Sequence, residues 1–245
     1  MITKTKTAIV TGASRGIGAA LAKQLAADGF QVVVNYARNE LSADKVVKAI
    51  LDSGGSAIAV RADVSNAAEV KMLFDEAEAA FDTIDVVVNN AGATLICPLK
   101  DVTDEDFQRI LAVNFAGTFN GMREAARRLP DGGRIINMST SIIGNYLPGA
   151  SIYAASKAAV EAMTHTLAKE LGPRQITVNA VAPGPTATEL FYEGRSQEFV
   201  EQIISAIPMG RIGEPEDIAG VVSFLASPQS GWINGQIIKV NGGRN

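Results

Sequence analysis

The sequence has almost none of the residues from which disulfides and soft metal sites are built. Cys97 is its single cysteine and His165 its single histidine among 245 residues. One cysteine excludes an intrachain disulfide, and one thiol with one imidazole cannot form a zinc or iron–sulfur cluster. No metal site is predicted, and a carboxylate and water site for Mg²⁺ is an alternative that no motif supports. His165 is interpreted as a surface or packing residue and Cys97 as a buried thiol, with a position at the substrate entrance as the alternative for Cys97.

The sequence also lacks a basic segment and a long apolar run. Its net charge is −4, from 22 basic and 26 acidic residues, and its longest basic block is the pair Arg127-Arg128. A nucleic-acid partner, which needs a basic surface, is not expected. No apolar run approaches the ~18 residues that cross a bilayer, and residues 1–6 lack the apolar core of a signal peptide. No membrane partner and a cytoplasmic location are expected.

Strands alternate with helices along the whole chain. Strands are predicted at residues 8–10, 31–34, 57–60, 84–88, 134–138, 176–181 and 236–240, and helices at 19–27, 41–51, 66–80, near 104–129, and at 152–171 and 215–226. Such helical connections favour right-handed crossovers between parallel strands. No repeat, low-complexity segment or linker divides the chain. Residues 1–245 are therefore predicted to form one α/β domain, a Rossmann-type doubly wound parallel sheet of about seven strands with helices on both faces.

A glycine-rich loop follows the first strand. Residues 11–18 read Thr-Gly-Ala-Ser-Arg-Gly-Ile-Gly and lead into the first helix. Glycines at these positions permit positive φ and close approach to a pyrophosphate, which the free N–H groups at the helix start attract. The spacing differs from the general G-x-G-x-x-G fingerprint, so the loop alone predicts only that a dinucleotide binds.

Tyr153 and Lys157 are four residues apart in the long predicted helix and therefore share one face. An ammonium beside a phenol lowers the pKa of the phenol from ~10 toward the range of a general acid or base. The cluster Ser139-Thr140-Ser141 ends a strand, where a hydroxyl can hydrogen-bond a carbonyl oxygen. On spacing alone, a packed tyrosine with a solvated lysine fits equally well. Beside the nucleotide loop, the pair favours proton donation to a carbonyl.

The order and spacing of these motifs resemble the short-chain dehydrogenase/reductase superfamily, in the branch that includes 3-oxoacyl-(acyl-carrier-protein) reductases and polyhydroxynaphthalene reductases. The residues that carry the resemblance are residues 11–18, Asp63-Val64, Asn89-Asn90-Ala91-Gly92, Asn114, residues 139–141, Tyr153 with Lys157, Asn179, Pro183-Gly184, and residues 234–236 and 241–243. The resemblance covers the whole chain. It implies a nicotinamide cofactor, hydride transfer at a carbonyl carbon and a homo-oligomer, commonly a tetramer.

The resemblance also implies roles for single residues. Tyr153 would pass the proton to the substrate oxygen, Lys157 would hold the nicotinamide ribose and lower the pKa of Tyr153, and Asn114 would kink its helix and anchor a water that links Lys157 to solvent. Besides Tyr153 and Lys157, the implied cofactor contacts are Gly12, Ser14, Arg15, Gly16, Ile17 and Gly18 at the pyrophosphate and adenosine ribose, Asp63 and Val64 at the adenine, Asn90, Ala91 and Gly92 at the adenosine side and ribose, and Pro183, Gly184, Thr186 and Thr188 at the nicotinamide.

Two spacings disagree about the hydroxyl that orients the carbonyl. The family's serine usually lies 13 residues before the tyrosine, which is Thr140 here, and three before a glycine, which is Ser141 here. Ser141 is preferred, because a deletion in the loop between Gly144 and Tyr153 is easier to accommodate than replacement of the hydroxyl donor. Ser139 and Thr140 remain alternatives.

The end of the second strand favours NADPH over NADH. NAD-selective sites place an acid there that accepts from the ribose 2′-OH and repels a 2′-phosphate. This chain has Asn35, Tyr36 and Arg38 there, and no acid before Glu40. Arg15 and Arg38 are expected to meet the phosphate, since guanidinium groups bind it well. The alternative is that both arginines are solvated surface residues.

The sequence thus predicts an NADPH-dependent carbonyl reductase with a small-molecule substrate. An alcohol or sugar dehydrogenase working oxidatively and a nucleotide-binding regulator without turnover are the alternatives. If the substrate is a 3-oxoacyl thioester on an acyl-carrier protein, Arg123, Arg127 and Arg128 are candidate basic contacts. Residues 185–213 are predicted to form a substrate lid, with a variable surface loop as the alternative. The apolar candidates for the pocket are Leu95, Ile143, Tyr146, Phe191 and Tyr192.

Overall fold

Seven parallel strands form one sheet in the computed structural model, which describes residues 5–193 and 196–245 and, for Leu190, the backbone alone. The strands are β1 (Thr7–Val10), β2 (Gln31–Tyr36), β3 (Ser56–Arg61), β4 (Val86–Asn89), β5 (Arg134–Met138), β6 (Thr177–Pro183) and β7 (Ile237–Val240). Their order across the sheet is β3-β2-β1-β4-β5-β6-β7. The chain crosses from one half of the sheet to the other between β3 and β4, so the switch point lies between β1 and β4.

Helices connect the strands and cover both faces. They are α1 (Gly16–Ala27), α2 (Glu40–Asp52), α3 (Ala67–Phe81), α4 (Asp104–Ile110), α5 (Gly117–Arg128), α6 (Ser151–Leu171), α7 (Glu189–Tyr192), α8 (Gln197–Ser205) and α9 (Pro215–Ala226). Because both faces are covered, the central strands are mainly apolar rather than alternating between apolar and polar residues. All residues of β1 and β4 are buried.

Two apolar cores lie on opposite sides of the sheet. One contains Leu21 and Leu25 of α1 with Val222 of α9, and the other contains Phe74 of α3 and Ile176 before β6. The predicted fold class is confirmed. No helix in the described part of the chain has the length and apolar character needed to span a bilayer.

In two regions the structure contains elements that the sequence pattern did not predict. Helices are found near 104–129 as predicted, and a π-helical turn at Leu111–Ala116 joins α4 to α5. The predicted lid contains α7 and α8, with Phe191, Val200 and Ile212 in a small apolar cluster of its own. Gly194 and Arg195 of the predicted lid, like residues 1–4, lie outside the described residues.

Candidate active site

A cleft of about 950 Å³ runs along the carboxyl ends of the strands, at the switch point between β1 and β4. Open α/β sheets bind their ligands at this place. Every residue that the sequence assigned to the cofactor or to catalysis lines the cleft except Asn114. The fold therefore gathers groups from residues 12 to 188 into one site.

The glycine-rich loop lies against the residues that follow β4. Gly12 has a φ of +62°, and a Cβ on it would lie 2.9 Å from the Ala91 Cα. A Cβ on Gly18 would lie 2.3 Å from the Gly12 carbonyl oxygen and 2.6 Å from Asn90 Nδ2. Asn90 Nδ2 also donates to the carbonyls of Thr11 (2.8 Å) and Gly12 (3.2 Å). These positions require glycine because the backbones are in direct contact.

Helix α1 begins inside this loop with its N–H groups open to the cleft. Its N-cap residue, Arg15, makes no side-chain capping hydrogen bond, and the first turn contains no acid. A helix start of this kind attracts a phosphate through its free N–H groups and the helix dipole. The loop and helix therefore fit the pyrophosphate of a dinucleotide.

Asn35 turns away from the predicted ligand. Its Oδ1 accepts from the Gly12 N–H (3.1 Å), and its Nδ2 donates to the carbonyls of Val60 (3.2 Å) and Ala62 (3.0 Å). Its side chain thus ties the glycine-rich loop to the end of β3. The pattern of the sequence could not distinguish this supporting position from a direct cofactor contact.

Basic groups border the cleft near the end of β2. Arg15 and Arg38 are exposed lining residues, and Arg15 Nη1 lies 3.9 Å from the Glu189 carboxylate across the cleft. The neighbouring Tyr36 is tied to Glu40, whose negative charge and hydrogen bond add to burial in raising the pKa of the phenol. The two guanidinium groups remain available to a phosphate.

Hydrogen bonds fix the polar side chains at both ends of the predicted cofactor site. Asp63 Oδ1 accepts from the Ser65 backbone N–H (2.9 Å) and hydroxyl (2.7 Å), which fixes the carboxylate at the cleft beside the buried Val64. At the other end, Thr186 Oγ1 donates to the Gly184 carbonyl (3.0 Å). Thr188 caps α7 by accepting from the Phe191 N–H (3.2 Å).

Tyr153 projects from α6 into the cleft beside Thr140. Burial raises the pKa of the Tyr153 phenol, and a hydrogen bond with the Thr140 hydroxyl acts in the opposite direction. The lowering of this pKa by Lys157, which the sequence led us to expect, is not found. Lys157 Nζ donates to the Met138 carbonyl (2.8 Å) rather than to the phenol, and burial lowers the pKa of the amine itself to about 8.

Asn114 occupies the π-helical turn and reaches the base of the site. Its Oδ1 accepts from the Ala93 N–H (2.8 Å), while its Nδ2 donates to the Ala93 carbonyl (2.9 Å) and to Ser156 Oγ (3.1 Å). A Cβ on Gly92 would lie 3.4 Å from Asn114 Oδ1 and 3.5 Å from Lys157 Nζ. The turn thus brings the amide next to the buried lysine.

The three candidate hydroxyls occupy different environments. Ser139 Oγ donates to Glu161 Oε1 on α6 (2.6 Å). Thr140 forms a hydrogen bond with the Tyr153 phenol. Ser141 also lines the cleft, and its carbonyl accepts from Asn245 Nδ2 (2.6 Å). The geometry favours Thr140 as the partner of the phenol, whereas Ser141 stays the choice from spacing.

Only some of the apolar residues predicted to form the substrate pocket line the cleft. Of the five apolar candidates, Phe191 lines the cleft. Other apolar side chains that line the cleft include Ile96, Ile142, Leu147, Phe199 and Ile203. Three of these stand next to a predicted residue. The predicted residues therefore lie in loops that do line the cleft. Which of two neighbouring side chains in a loop faces the cleft depends on the direction of the backbone, which the sequence pattern does not give.

The basic residues suggested for an acyl-carrier protein lie elsewhere. Arg128 bridges Asp75 (2.7 Å), Glu78 (3.0 Å) and Glu124 (3.0 Å), which joins α3 to α5. Arg123 and Arg127 are not among the lining residues of the cleft. The cations that do line it beyond the cofactor region are Arg109 and Arg244.

A Rossmann-type sheet with a phosphate-binding loop, and a tyrosine beside a lysine at the same edge, define the class of NAD(P)-dependent oxidoreductases that interconvert alcohols and carbonyl compounds. A family model described as enoyl-(acyl carrier protein) reductase matches residues 12–245. The chain belongs to the short-chain dehydrogenase/reductase superfamily, as its motifs predict.

Individual proteins of this superfamily are similar to almost the whole of this chain. The chloroplastic NADPH-dependent aldehyde reductase 2 of Arabidopsis thaliana is 49% identical over 253 residues, which cover 97% of this chain and 93% of that protein. A dehydrogenase/reductase from Sinorhizobium meliloti 1021 has a TM-score of 0.94 at 43% identity, covering 98% and 95% of the two chains. A short chain dehydrogenase from Burkholderia cenocepacia J2315, solved in complex with NADP, has a TM-score of 0.93 at 39% identity and covers 98% of each chain.

Proposed function

We propose that the protein is an NADPH-dependent carbonyl reductase in which Tyr153 protonates the oxygen of an aldehyde or ketone. The observation that carries the proposal is the convergence of Tyr153, Thr140 and Lys157 in a cleft whose other half fits a dinucleotide. When bound, the cofactor supplies hydride to the carbonyl carbon.

The residues around the carbonyl have separate tasks. The Tyr153 hydroxyl donates its proton to the oxygen as the carbon is reduced, so that one hydride and one proton convert the carbonyl to an alcohol. Thr140 stabilises the phenolate that forms, since its hydroxyl can donate to the phenol oxygen. Lys157 holds the nicotinamide ribose, and Asn114 supports the path by which a proton returns to Tyr153.

The pKa of Tyr153 supports reduction over the oxidative alternative. Because burial raises it, the phenol is protonated throughout the neutral range and is ready to donate. Oxidation of an alcohol needs the phenolate as base and is expected to require higher pH. Reduction near pH 7 is therefore the proposed direction.

NADPH as the preferred cofactor is supported by Arg15, Arg38 and the neutral Asn35 at the end of β2. An acid at this position would have repelled the 2′-phosphate, whereas Asn35 is uncharged and faces the backbone. The names of relatives point the same way: the Arabidopsis protein is named NADPH-dependent, and the Burkholderia structure holds NADP.

NADPH consumption across aldehydes, ketones, quinones and 3-oxoacyl thioesters tests the function. We expect the purified protein to reduce at least one of these compounds and Tyr153→Phe to lower kcat/KM by about 10²- to 10⁴-fold, the usual contribution of a general acid. The variant must still bind NADPH, which cofactor fluorescence measures. Binding without turnover across the panel would favour the nucleotide-binding regulator, and an active Tyr153→Phe would contradict the mechanism.

A further inference from the structure

The substrate end of the cleft contains an arginine without a partner. Arg244 follows β7, is half-buried and lines the cleft. Its backbone N–H donates to the Asn241 carbonyl (3.3 Å), but within residues 5–193 and 196–245 its guanidinium has no hydrogen bond or ion pair. A partly buried charge is usually paired, because removing it from water is unfavourable.

The backbone around Arg244 is held in place. Gly242 (φ +65°) and Gly243 (φ +81°) reverse the chain after β7. Asn241 Oδ1 accepts from the Gly243 N–H (3.1 Å), and Asn241 Nδ2 donates to Asn245 Oδ1 (2.6 Å). Asn245 Nδ2 in turn donates to the Ser141 carbonyl (2.6 Å). Arg244 therefore stands between two anchored residues, at a fixed position beside the candidate catalytic loop.

Nothing nearby in the described lining neutralises this charge. The other cation on the substrate side, Arg109, pairs with Asp106 on its own helix (2.8 Å). The carboxylates that line the cleft are Asp63, at the predicted adenine end, and Glu189, which lies 3.9 Å from Arg15. The substrate half of the described cleft is therefore positive at Arg244.

Apolar side chains line the same cleft as Arg244. They include Ile96, Leu147, Phe199 and Ile203, which provide a surface for a hydrocarbon or aromatic body. A guanidinium presents two parallel N–H donors that match a carboxylate. The combination suits a molecule that is apolar in the middle and anionic at one end.

We propose that Arg244 binds a carboxylate at the end of the substrate remote from the carbonyl, so that the enzyme prefers apolar aldehyde or keto acids to their uncharged counterparts. This inference rests on the proposed carbonyl reductase activity. It assigns a specificity-determining role to a residue that does not take part in hydride or proton transfer.

Two aldehyde acids of different length and their methyl esters test the preference. The probes are 4-carboxybenzaldehyde and 4-formylcinnamic acid, each compared with its ester at pH 7.5 and saturating NADPH. We expect the wild-type kcat/KM to be higher for at least one acid than for its ester, and Arg244→Gln to lower that acid-to-ester ratio by about tenfold to a hundredfold. The change should appear as a higher KM for the acid, with kcat little altered.

Control variants separate charge recognition from damage to the loop. Arg244→Lys keeps the charge and should recover part of the ratio, while Arg127→Gln removes an exposed arginine outside the cleft and should leave the ratio unchanged. An equal loss of activity toward acids and esters in Arg244→Gln, or ratios insensitive to Arg244 for both probe pairs, overturns the inference while the reductase stands. Failure of the wild type to reduce any of the four probes or any compound of the wider panel rejects the proposed function itself.

Discussion

At the scale of single residues, the hydroxyl beside Tyr153 is the clearest disagreement between spacing and geometry. Thr140 hydrogen-bonds the phenol, whereas Ser141 does not affect the pKa of the phenol. We expect Thr140→Val, which keeps the side-chain shape, to lower kcat/KM by about 10²-fold, as removal of a donor near the reacting oxygen does. Ser141→Ala should lower it less than about threefold. Steady-state kinetics with NADPH measure both, and the reverse order would support the choice from spacing.

The phosphate preference rests on two arginines. Arg15→Ala combined with Arg38→Ala removes both guanidinium groups that border the end of β2. Because the 2′-phosphate is present in NADPH and absent from NADH, we expect loss of its charge-assisted contacts to lower the NADPH-to-NADH ratio of kcat/KM at least about tenfold. NADH kinetics in the same variant provide the internal control. An unchanged ratio would show that both arginines are merely solvated.

Burial of the Lys157 ammonium is expected to lower the stability of the protein at neutral pH. Its pKa is about 8 in the folded protein, against 10.5 ordinarily, because burial disfavours the ammonium. Below pH 8 the penalty is complete, and between pH 8 and 10.5 the unfolded chain binds more protons, so stability rises with pH. We expect Lys157→Met to be inactive but more stable at pH 7.5, by an amount on the order of 2 kcal/mol.

Urea unfolding of the wild type and Lys157→Met at several pH values measures this difference. The gain from the substitution should shrink between pH 8 and 10.5 and disappear above 10.5, where the wild-type amine becomes neutral in both states. A gain that does not vary with pH would mean that packing of the methionine, and not the charge, accounts for it.

Sequence patterns identified residues better than they identified orientations. Gly12, Tyr153 and Lys157 could be found because their types and spacing are demanded by backbone contact or by helix geometry. Asn35 could not be separated from a ligand contact, since its amide partners, the Gly12 N–H and two carbonyls at the end of β3, come together only in the folded sheet. The pKa of Tyr153 was misjudged for the same reason: adjacency on a helix face does not fix where an ammonium points.

At the scale of elements, the parallel strands were predictable because buried strands covered on both faces are continuous apolar runs. The π-helical turn at Leu111–Ala116 was not visible as a change in periodicity, since it inserts one residue into an otherwise helical pattern. The turn leaves the Asn114 carbonyl to accept from Thr118 Oγ1 (2.8 Å). A kink at Asn114 could therefore be inferred from the resemblance and not from the pattern.

The junction of the glycine-rich loop with α1 is the element most sensitive to a single methyl group. Gly18→Ala would place a Cβ 2.3 Å from the Gly12 carbonyl oxygen, so the loop must move. We expect an NADPH dissociation constant at least about tenfold higher and a loss of about 1–3 kcal/mol in unfolding free energy. Fluorescence titration and denaturant unfolding measure the two effects.

Gly220→Ala is the matched control for that substitution. Gly220 lies within α9 and its Cβ would meet nothing within 4 Å. Alanine there should leave NADPH binding unchanged and stabilise the protein by up to about 1 kcal/mol, because glycine weakens a helix interior. Equal behaviour of the two alanine variants would contradict the close contact at Gly18.

At the scale of the whole molecule, an apolar stripe on α4 and α5 remains exposed. Phe107, Phe115 and Phe119 are 38%, 38% and 43% exposed, and the Arg123 guanidinium lies 4.9 Å from the ring centre of Phe119. Phe107 belongs to α4, Phe115 to the π-helical turn and Phe119 to α5. Several exposed aromatic side chains in one segment make it a candidate for a protein–protein contact.

The homotetramer implied by the family resemblance is testable on this stripe. We expect the wild type to have about four times the 25.7 kDa chain mass in light scattering and Phe115→Glu with Phe119→Glu to give a smaller species, because a buried unpaired carboxylate strongly disfavours an interface. Leu41→Glu, at a site on α2 that is 76% exposed, adds charge elsewhere and should leave the mass unchanged. If the double variant keeps the wild-type mass, the stripe is not the contact between copies. If the wild type is monomeric, these phenylalanines are solvent-exposed in the native protein and the tetramer is wrong.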